Sequence, residues 1–503
     1  MPVNALFSYL IKKRLQQIEL FRDHPQLAQL EVFLKLIRAS RYTEWGKKHG
    51  YESVTDVDEF RARVPLQDYE SLKPWVERLR AGEQNLLWPT DIKWFAKSSG
   101  TTNDRSKFIP VSREALEDCH YKGGKDLIAL HYGLNPQSKL FLGRSLVIGG
   151  SSSVEQFRPD GYSGDLSAII RRNLPFWVEM RRTPVKEVAL LDNWEEKIEK
   201  MARETLREDV RCIAGVPSWT LVLLKRILEL TGKRDMLQVW PNLELFMHGG
   251  VSFKPYREHF EEMFPSPSFT YLESYNASEG FFGITDRKGA DDLLLMLDYG
   301  IFFEFLPLGE LGKDQPRTLL LSEVKEGEQY AIVISTNAGL WRYMPGDTVR
   351  FTSINPYRIQ VSGRTRSFIN AFGEELIVEN ADHAIAEASR TTGAIVNDYT
   401  AAPVYMEHQA RGGHEWIIEF ERAPEDIEVY IDHLDSALRA VNSDYDAKRR
   451  GDMALRRPTV HAMPSGTFYQ WMKGMDKLGG QNKVPRLCND RSIVERLLAA
   501  MVA

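Results

Sequence analysis

Residues 243–275 read LELFMHGGVSFKPYREHFEEMFPSPSFTYLESY and hold two short apolar runs on either side of a helical segment. The first run ends at the glycine pair 249–250, and the second ends at Ser274-Tyr275. A helix is predicted between them, over 254–264. Strands that alternate with helices pair in parallel, because a helical crossover returns the chain to the same end of the sheet. This stretch therefore predicts an α/β core with parallel strands.

The chain on the N-terminal side of this stretch repeats the alternation. An apolar strand at 146–148 runs into a Gly/Ser-rich loop, and helices are predicted over 192–208 and 216–231. Residues 3–22 form an amphipathic helix whose apolar side chains recur at helical spacing. We expect this helix to dock on the protein core rather than on a membrane, because its polar face carries mixed charges.

The character of the chain changes at about residue 292. Short strands separated by Gly, Asp or Pro turns follow, which predicts a β-rich, β-barrel-like subdomain over about 292–364. After Gly363, helices and strands mix again. The sequence thus predicts an α/β protein whose large N-terminal domain, 1–364, combines mixed and parallel sheets with helices and this subdomain. Residues 365–503 are predicted to form a smaller α+β C-terminal domain.

Composition and charge exclude several classes of protein. The chain has 503 residues, of which 43% are hydrophobic and 27% are charged, as in ordinary soluble proteins. The net charge of −5 argues against an electrostatically driven nucleic-acid binder. Three scattered cysteines without a CxxC motif indicate a reducing compartment. No apolar run reaches the ~20 residues of a membrane helix, so we expect a cytoplasmic protein with no nucleic-acid and no membrane partner.

Residues 97–107, KSSGTTNDRSK, form the first candidate site. Hydroxyl groups, a glycine and the backbone N–H groups of a turn make a cradle for an anion, and Lys107 adds a fixed charge. The stretch lacks the GxxxxGK[ST] pattern of a Walker A loop. The alternative interpretation is a polar surface turn.

Residues 275–283, YNASEGFFG, form the second candidate site. A tyrosine at a strand end can stack on a nucleobase, and Ser278 can donate to a phosphate oxygen. The carboxylate of Glu279 is a hard-oxygen ligand suited to Mg²⁺. The alternative is the start of a helix, with the serine as its cap and the glutamate in its first turn.

Three further positions carry polar groups that could meet a nucleotide. In 339–347, GLWRYMPGD, Asp347 follows a Pro-Gly turn and could accept both hydroxyls of a ribose; the alternative is a plain β-turn. Arg364, at the domain boundary, could reach a ribose or phosphate oxygen; the alternative is a linker arginine. In 479–486, GGQNKVPR, Lys483 could bring a charge to a phosphate if the small domain closes on the large one; the alternative is an exposed basic loop.

Other catalytic patterns are missing from the chain. HExxH, paired CxxC, GxSxG and a GxGxxG that follows a strand do not occur. The sequence therefore indicates neither a zinc site of these types nor a nucleophile elbow.

In this order, the motifs resemble those of the adenylate-forming enzymes, and more closely those of the auxin-responsive acyl-acid amido synthetase family. The plant members of that family conjugate jasmonate, auxin or benzoates to amino acids, and it has bacterial relatives. Trp45-Gly46-Lys47 near the start adds to the resemblance, which spans almost the whole chain. The chain departs from the wider superfamily at Asn103, where a small residue is usual, and at Arg366, where many relatives carry a hinge Asp or Lys.

The resemblance implies a role for each matched residue. The implied nucleotide-binding set is Ser98, Ser99, Gly100, Thr101, Thr102, Lys107, Gly250, Val251, Tyr275, Ser278, Asp347 and Arg364. Residues 98–102 would hold the β- and γ-phosphates of ATP, and 249–251 would line the adenine or acyl pocket. Tyr275 would contact adenine, Ser278 the α-phosphate, Asp347 the ribose, and Arg364 would lie at the hinge. Glu279 is implied as the Mg²⁺ ligand and, with Lys483 from a mobile C-terminal domain, as a catalytic residue.

The function that the resemblance implies is that of an ATP-dependent acyl-acid amido synthetase. Such an enzyme adenylates a carboxylic acid, releases pyrophosphate, and transfers the acyl group from acyl-AMP to an amine, here expected to be an amino acid. ATP and Mg²⁺ are the expected cofactors. Two alternatives stay open: an acyl-CoA ligase, which shares the adenylation step, and a non-catalytic protein that binds a nucleotide or an acid.

The acyl pocket is expected from three segments of the N-terminal domain. They are the helix 113–131, the strand and loop 146–153, and residues 216–224. Arg158, Arg171 and Arg172 are the candidates to meet the carboxylate of the substrate.

Overall fold

The protein was examined in a computed structural model, which describes most of the chain. The described residues are 2–98, 107–149, 154–174, 176–189, 191, 194–250, 253, 256–364, 368–406, 411–452, 454–474 and 486–502.

Helices dominate the first third of the chain and recur in the C-terminal part. They are α1 (Pro2–Asp23), α2 (Pro25–Ser40), α3 (Glu44–Lys48), α4 (Val57–Arg63), α5 (Tyr69–Ala81), α6 (Tyr121–Leu134), α7 (Leu166–Arg172), α8 (Phe176–Glu179), α9 (Lys186–Ala189), α10 (Trp194–Thr205), α11 (Pro217–Thr231), α12 (Arg257–Met263), α13 (Val378–Thr392), α14 (Ile427–Val441), α15 (Ser443–Arg449), α16 (Thr467–Gly474) and α17 (Ser492–Val502). A π-helical segment, Ala115–His120, leads directly into α6.

Strands occupy the middle of the chain and part of its C-terminal region. They are β1 (Trp94–Ser98), β2 (Lys107–Val111), β3 (Arg144–Ile148), β4 (Val154–Arg158), β5 (Gly161–Gly164), β6 (Arg182–Thr183), β7 (Val210–Gly215), β8 (Leu245–Gly249), β9 (Thr270–Ala277), β10 (Gly280–Ile284), β11 (Leu293–Leu295), β12 (Ile301–Pro307), β13 (Gln329–Thr336), β14 (Asp347–Ile354), β15 (Tyr357–Arg364), β16 (Phe368–Ile369), β17 (Leu376–Ile377), β18 (Ile395–Val404), β19 (Gly413–Arg422) and β20 (Thr459–Met463).

Eleven of these strands form one sheet, in the order β12-β13-β14-β15-β11-β10-β9-β8-β7-β3-β6. The strands from β6 to β9 pair in parallel, as the alternation of strands and helices predicts. From β9 to β12 all neighbours are antiparallel. The β-rich segment predicted at about 292–364 contains β11 to β15 of this antiparallel half, and β10 joins it to the parallel strands within one sheet.

The C-terminal region has the predicted α+β character. Strands β18, β19 and β20 form a three-stranded sheet, and helices α13 and α14 belong to the same region. This region contacts the N-terminal part: the Tyr256 hydroxyl donates to the Ala371 carbonyl at 2.6 Å, and His259 Nε2 lies 2.7 Å from the Met406 carbonyl. Side chains of both regions belong to one apolar cluster.

Helix α1 docks on the core, as its amphipathic pattern predicts. Ile18 and Phe21 are buried, and the Arg14 guanidinium pairs with Asp126 and Asp298, each at 2.6 Å. Two ion pairs, one to the buried Asp126 and one to the partly exposed Asp298, therefore attach α1 to α6 and to the segment before β12. Within the described ranges, we find no helix that has both the length and the apolar surface of a membrane span.

His248, near the end of β8, is a buried histidine that couples the stability of the core to pH. It is 3% exposed, and its ring stacks on Phe253 with 4.0 Å between ring centroids. Burial lowers its pKa to about 3, because the imidazolium would lose its hydration there, and the Arg257 charge acts in the same direction. The folded protein thus holds a neutral imidazole that becomes protonated only when the chain unfolds in mild acid.

We expect the free energy of unfolding to fall as the pH drops from 6.5 toward about 3, since the unfolded chain then binds a proton that the folded chain does not. His248 contributes a slope of about 1.4 kcal/mol per pH unit inside this window. His248→Phe, which keeps a ring against Phe253, is expected to flatten the pH dependence of the urea midpoint. The same replacement at exposed His24 is the control, and an equal slope in both variants would contradict the assignment.

Candidate active site

A tight hairpin turn presents Ser278 and Glu279 at the carboxyl end of β9. Ala277 lies opposite Gly280 in the antiparallel β9–β10 ladder, so the two residues between them form the connection. The helix-start interpretation of this segment is wrong, because the aromatic run that follows the turn is a fully buried strand. Strand β9 also extends beyond its predicted end, to Ala277.

Tyr275 and Asp347, from two different motifs, are in direct contact. The Tyr275 hydroxyl donates to Asp347 Oδ2 at 2.6 Å, although 72 residues separate the two positions. Asp347 is the first residue of β14 and is largely buried. A charge-assisted hydrogen bond of this length fixes the carboxylate, whose remaining acceptor sites keep a defined direction.

The contact requires a strongly curled sheet. Strands β10, β11 and β15 lie between β9 and β14 in the ladder. At the usual strand spacing, four steps across a flat sheet would separate the two strands by about 19 Å. Register shifts lie between Phe281 and Gly283 in the β9–β10 ladder and between Thr348 and Val349 in the β14–β15 ladder, and irregularities of this kind increase the local twist of a sheet. Bulges of this kind are frequent beside active sites because they redirect neighbouring side chains.

Arg364 reaches the same end of the sheet through its backbone. It is the last residue of β15 and lies opposite Asp347 in the β14–β15 ladder. Tyr275, Asp347 and the backbone of Arg364 are therefore brought together, as the motifs require, and the Ser278-Glu279 turn follows Tyr275 on the chain by three residues.

The glycine pair at the end of β8 packs so closely against β9 that a side chain would not fit there. A Cβ on Gly249 would lie 2.3 Å from the Ser274 carbonyl oxygen, so only glycine fits this position. Gly250 has a φ of 84°, in the left-handed region that glycine adopts freely. Its carbonyl accepts from Asn370 Nδ2 at 3.4 Å, a contact with the C-terminal region.

The Ser/Thr-rich stretch spans the two strands of a hairpin. Ser98 ends β1 and pairs with Lys107, the first residue of β2. The Lys107 ammonium lies 5.8 Å from the centre of the Tyr69 ring, and the Tyr69 hydroxyl accepts from the Phe108 N–H. Several predicted site residues lie outside the described residues: Ser99, Gly100, Thr101, Thr102, Val251 and Lys483.

Two of the three arginines considered for the substrate carboxylate are engaged elsewhere. Arg158 donates to the carbonyls of Leu79 and Arg80, and Arg171 pairs with Glu179 at 2.5 Å. Arg172 lies 5.5 Å from the centre of the Tyr162 ring. The structure thus gives Arg158 and Arg171 roles in packing.

A cavity of about 300 Å³ lies along β8 and β9, and no motif indicated it. Its polar lining includes His248, Arg257, Tyr271, Glu273, Thr285 and Lys288. His248 Nδ1 and the Tyr271 hydroxyl are buried there and have no hydrogen-bond partner among the described residues.

Two buried polar groups beside the candidate residues were not assigned a role from the sequence. Arg342, five residues before Asp347, forms a buried ion pair with Glu304 at 3.0 Å. His120 Nδ1 lies 3.2 Å from Asn276 Oδ1, next to Tyr275. Apart from the GLWRYMPGD motif that contains Arg342, no local pattern marks these pairs, because their partners are distant in sequence.

Comparison with known proteins gives matches over nearly the full chain. Models of the GH3 family match as its N-terminal domain over residues 14–269, its central domain over 294–364 and its C-terminal domain over 379–492. The indole-3-acetic acid-amido synthetase GH3.3 of Arabidopsis thaliana is 23% identical, over 98% of this chain and 94% of the relative. The jasmonoyl-L-amino acid synthetase JAR4 of Nicotiana attenuata is 22% identical, over 94% and 92%.

Solved structures share the fold. The GH3.15 acyl acid amido synthetase superposes with a TM-score of 0.61 at 17% identity and covers 97% of this chain and 95% of its own. A 2-hydroxyisobutyryl-CoA ligase, in complex with 2-HIB-AMP and CoA, superposes with a TM-score of 0.55 at 13% identity, over 95% and 92%. The large α/β part and the smaller α+β part follow the architecture of these enzymes.

Proposed function

The chain belongs to the GH3 family, and from that premise we propose that it is an ATP-dependent acyl-acid amido synthetase. Its substrates are a carboxylic acid, ATP and an amine, for which an amino acid is the proposed acceptor. The relatives named above supply the precedent, since both are amido synthetases or acid–amino acid synthetases by name.

The observation that carries the proposal is the contact between Tyr275 and Asp347 at the sheet end that also holds the Ser278-Glu279 turn. An aromatic ring, a fixed carboxylate and a hydroxyl at one strand end match the parts of a nucleotide. We propose that Tyr275 packs on adenine, Asp347 accepts the ribose hydroxyls and Ser278 contacts the α-phosphate. Gly250 and Val251 then border the adenine or acyl pocket.

The triphosphate is assigned to the hairpin loop between β1 and β2. In this proposal Ser98, Ser99, Gly100, Thr101 and Thr102 surround the β- and γ-phosphates, and Lys107 supplies a charge. The pairing of Ser98 with Lys107 supports it, because the two ends of the loop are then fixed side by side. Arg364 is proposed as the hinge, and Lys483 as a catalytic residue carried by a mobile C-terminal domain.

Glu279 fits the role of a magnesium ligand. It is a carboxylate on a two-residue turn, and within the part of the chain that the structure describes no group of three or more potential ligands forms a dedicated metal site. A single carboxylate suits Mg²⁺, which proteins usually bind through one or two carboxylates together with substrate phosphates. When bound, the ion would neutralise phosphate charge during adenylation.

The reaction needs positioning and charge rather than a protein nucleophile. The acid's carboxylate oxygen attacks the α-phosphorus of ATP, the bond to the β-phosphate breaks, and pyrophosphate leaves. The amine then attacks the acyl carbon of acyl-AMP, AMP leaves with the electron pair of the broken C–O bond, and the amine loses a proton. Tyr275, Ser278 and Asp347 are proposed to hold the nucleotide so that the carboxylate lies in line with the leaving pyrophosphate.

Exchange of labelled pyrophosphate into ATP, over a panel of aromatic and aliphatic acids, tests the adenylation step. We expect exchange that depends on an acid. ATP binding without exchange would favour the non-catalytic alternative, and a chain that binds no ATP would contradict the proposal.

The identity of the acceptor separates the amido synthetase from an acyl-CoA ligase, whose fold this chain also shares. Reactions with the active acid are supplied in parallel with a mixture of amino acids or with CoA. An acyl–amino acid product in mass spectra supports the proposal, whereas an acyl-CoA product alone supports the ligase.

Tyr275→Phe is expected to raise the KM for ATP about tenfold. The change keeps the ring but removes the hydroxyl that donates to Asp347, and a hydrogen bond to a charged group contributes about 1.5–3 kcal/mol. The loss falls on nucleotide binding because the freed carboxylate no longer has a fixed direction. Initial rates of exchange at varied ATP measure it.

Tyr399→Phe is a matched control for this prediction. The Tyr399 hydroxyl also donates to an aspartate, Asp382, at 2.6 Å, but within the C-terminal region. We expect this variant to lose some stability and to keep the KM for ATP. Equal KM values for ATP in the two variants would show that the Tyr275 hydroxyl does not position Asp347 for nucleotide binding.

A further inference from the structure

The hairpin that carries Ser278 and Glu279 packs against the π-helical segment Ala115–His120 and the first turn of α6. A π-helical turn is wider and less stable than an α-helical one, and such turns are frequent at functional sites. The segment ends at His120, and α6 continues from it without a break.

Two consecutive residues of this segment hold one cross-strand pair of the hairpin. Asn276 and Phe281 lie opposite each other in the β9–β10 ladder. Cys119 Sγ accepts a hydrogen bond from the Phe281 N–H at 3.2 Å, and His120 Nδ1 lies 3.2 Å from Asn276 Oδ1. Both strands are therefore held at the same level of the ladder.

That level is adjacent to the functional turn. The next pair in the ladder is Ala277 with Gly280, and the turn Ser278-Glu279 follows it directly. A shift at the Asn276–Phe281 pair would move the turn as a unit, because only one ladder pair separates them. A displacement of about 1 Å at a reacting centre can cost 10²-fold in rate.

The packing of α6 allows little freedom at this contact. A Cβ on Gly123 would lie 2.5 Å from the Phe281 ring, so the absence of a side chain lets the helix approach the hairpin closely. The His120 side chain is buried, and burial lowers its pKa to about 4. The imidazole is therefore neutral at pH 7, and because Asn276 Oδ1 only accepts, Nδ1 carries the hydrogen.

We propose that Cys119 and His120 act as a clamp that positions the Ser278-Glu279 turn for adenylation, with His120 as the positioning residue that acts through Asn276. This inference rests on the proposed function of the turn. Burying an imidazole costs more free energy than burying an apolar side chain of similar size, because the ring nitrogens need hydrogen-bond partners and the apolar side chain does not. The directional bond from Nδ1 explains the histidine at this position.

The test compares His120→Leu, which removes the donor, with His120→Asn, whose side-chain amide can replace the Nδ1–H. His414→Leu is the matched control: His414 is also buried, and its Nε2 lies 2.8 Å from Glu374 Oε1 within the C-terminal region. Acid-dependent exchange and the thermal midpoint are measured for all three and for the wild type. We expect His120→Leu to lower kcat for exchange 10- to 100-fold with a smaller change in KM for ATP.

The clamp predicts that His120→Asn recovers most of this loss, and that His414→Leu lowers the thermal midpoint while keeping kcat in the folded protein. Asn276→Leu should reproduce the loss, and the double variant with His120→Leu should lose little more, since both remove one interaction. A wild-type kcat in His120→Leu, or additive losses in the double variant, would overturn this inference and leave the proposed function unaffected. A wild type that shows no exchange with any acid would overturn the proposed function, and the clamp with it.

Discussion

Replacement of Glu279 by glutamine is expected to lower acid-dependent ATP–pyrophosphate exchange by about 10²- to 10³-fold. The amide has almost the same shape as the carboxylate but carries no charge, so it is a weak ligand for Mg²⁺. Because Glu279 lies on the two-residue turn between β9 and β10, the change leaves the buried strands intact. We therefore expect the variant to fold, and its urea denaturation beside that of the wild type checks that a loss of exchange is not a loss of stability.

Glu326→Gln provides the matched control, since Glu326 is an exposed glutamate in the connection between β12 and β13. That variant should exchange at the wild-type rate. A second expectation concerns the ion itself: raising the Mg²⁺ concentration should partly restore exchange in the Glu279 variant if the lost interaction is metal binding. Wild-type activity in Glu279→Gln would show that the reaction does not need the Glu279 carboxylate.

Replacement of Arg342 by methionine is expected to destabilise the protein by about 3–5 kcal/mol. The Arg342 guanidinium bonds both carboxylate oxygens of Glu304 at 3.0 Å and the Val64 carbonyl at 2.7 Å. The side chains of this pair are 6% and 1% exposed. Methionine keeps much of the volume, but it breaks the buried ion pair, leaves Glu304 to the Arg61 guanidinium at 3.0 Å, and removes the donor to the Val64 carbonyl.

The backbone at Arg342 supports this expectation. Its φ of 45° lies in the left-handed region, which costs an arginine about 1 kcal/mol or more and persists only where the surroundings impose it. The buried ion pair supplies that constraint. Because the same loop leads to Asp347, the variant is also expected to raise the KM for ATP.

Urea denaturation of three variants checks the prediction. Adding Glu304→Gln to Arg342→Met should lower the stability further, because the Arg61 guanidinium then loses the carboxylate that lies 3.0 Å from it. The change Arg350→Met, at an exposed position on β14, should cost less than about 0.5 kcal/mol. If Arg342→Met unfolded at the same midpoint as Arg350→Met, the pair would have no role in holding this loop.

The sequence predicted the kinds of elements along much of the chain. Strands β8 and β9 with their helical crossover, the run of short strands β11 to β15 and the α+β C-terminal region follow from local periodicity and turn residues, whereas strand β7 and the antiparallel pairing of β11 to β15 were not predicted. These signals are local: apolar spacing and Gly, Pro or Asp punctuation act within a few residues of where they stand. The same locality leaves Ser278-Glu279 open to two interpretations, since the pair suits a helix start and a hairpin turn equally well until the buried aromatic strand beyond it is considered.

For the candidate site too, the sequence indicated some features and only the structure showed the others. The motifs alone named Tyr275, Ser278, Glu279 and Asp347, because their residue types suit a nucleotide and its metal ion. They did not indicate that the Tyr275 hydroxyl holds the Asp347 carboxylate, a contact that spans 72 residues. Nor did they indicate that Cys119 and His120 hold the base of the turn, across 162 and 156 residues.

By itself, then, the amino-acid sequence indicated the kind of element that many segments form, which family the chain resembles and which residue types are available for chemistry. The tertiary structure alone decided which of those residues meet. The physical reason is that the curl of the main sheet, the bulge in β10 and the close approach of α6 over Gly123 arise from packing between segments far apart in the chain. No pattern within a single segment encodes such distances.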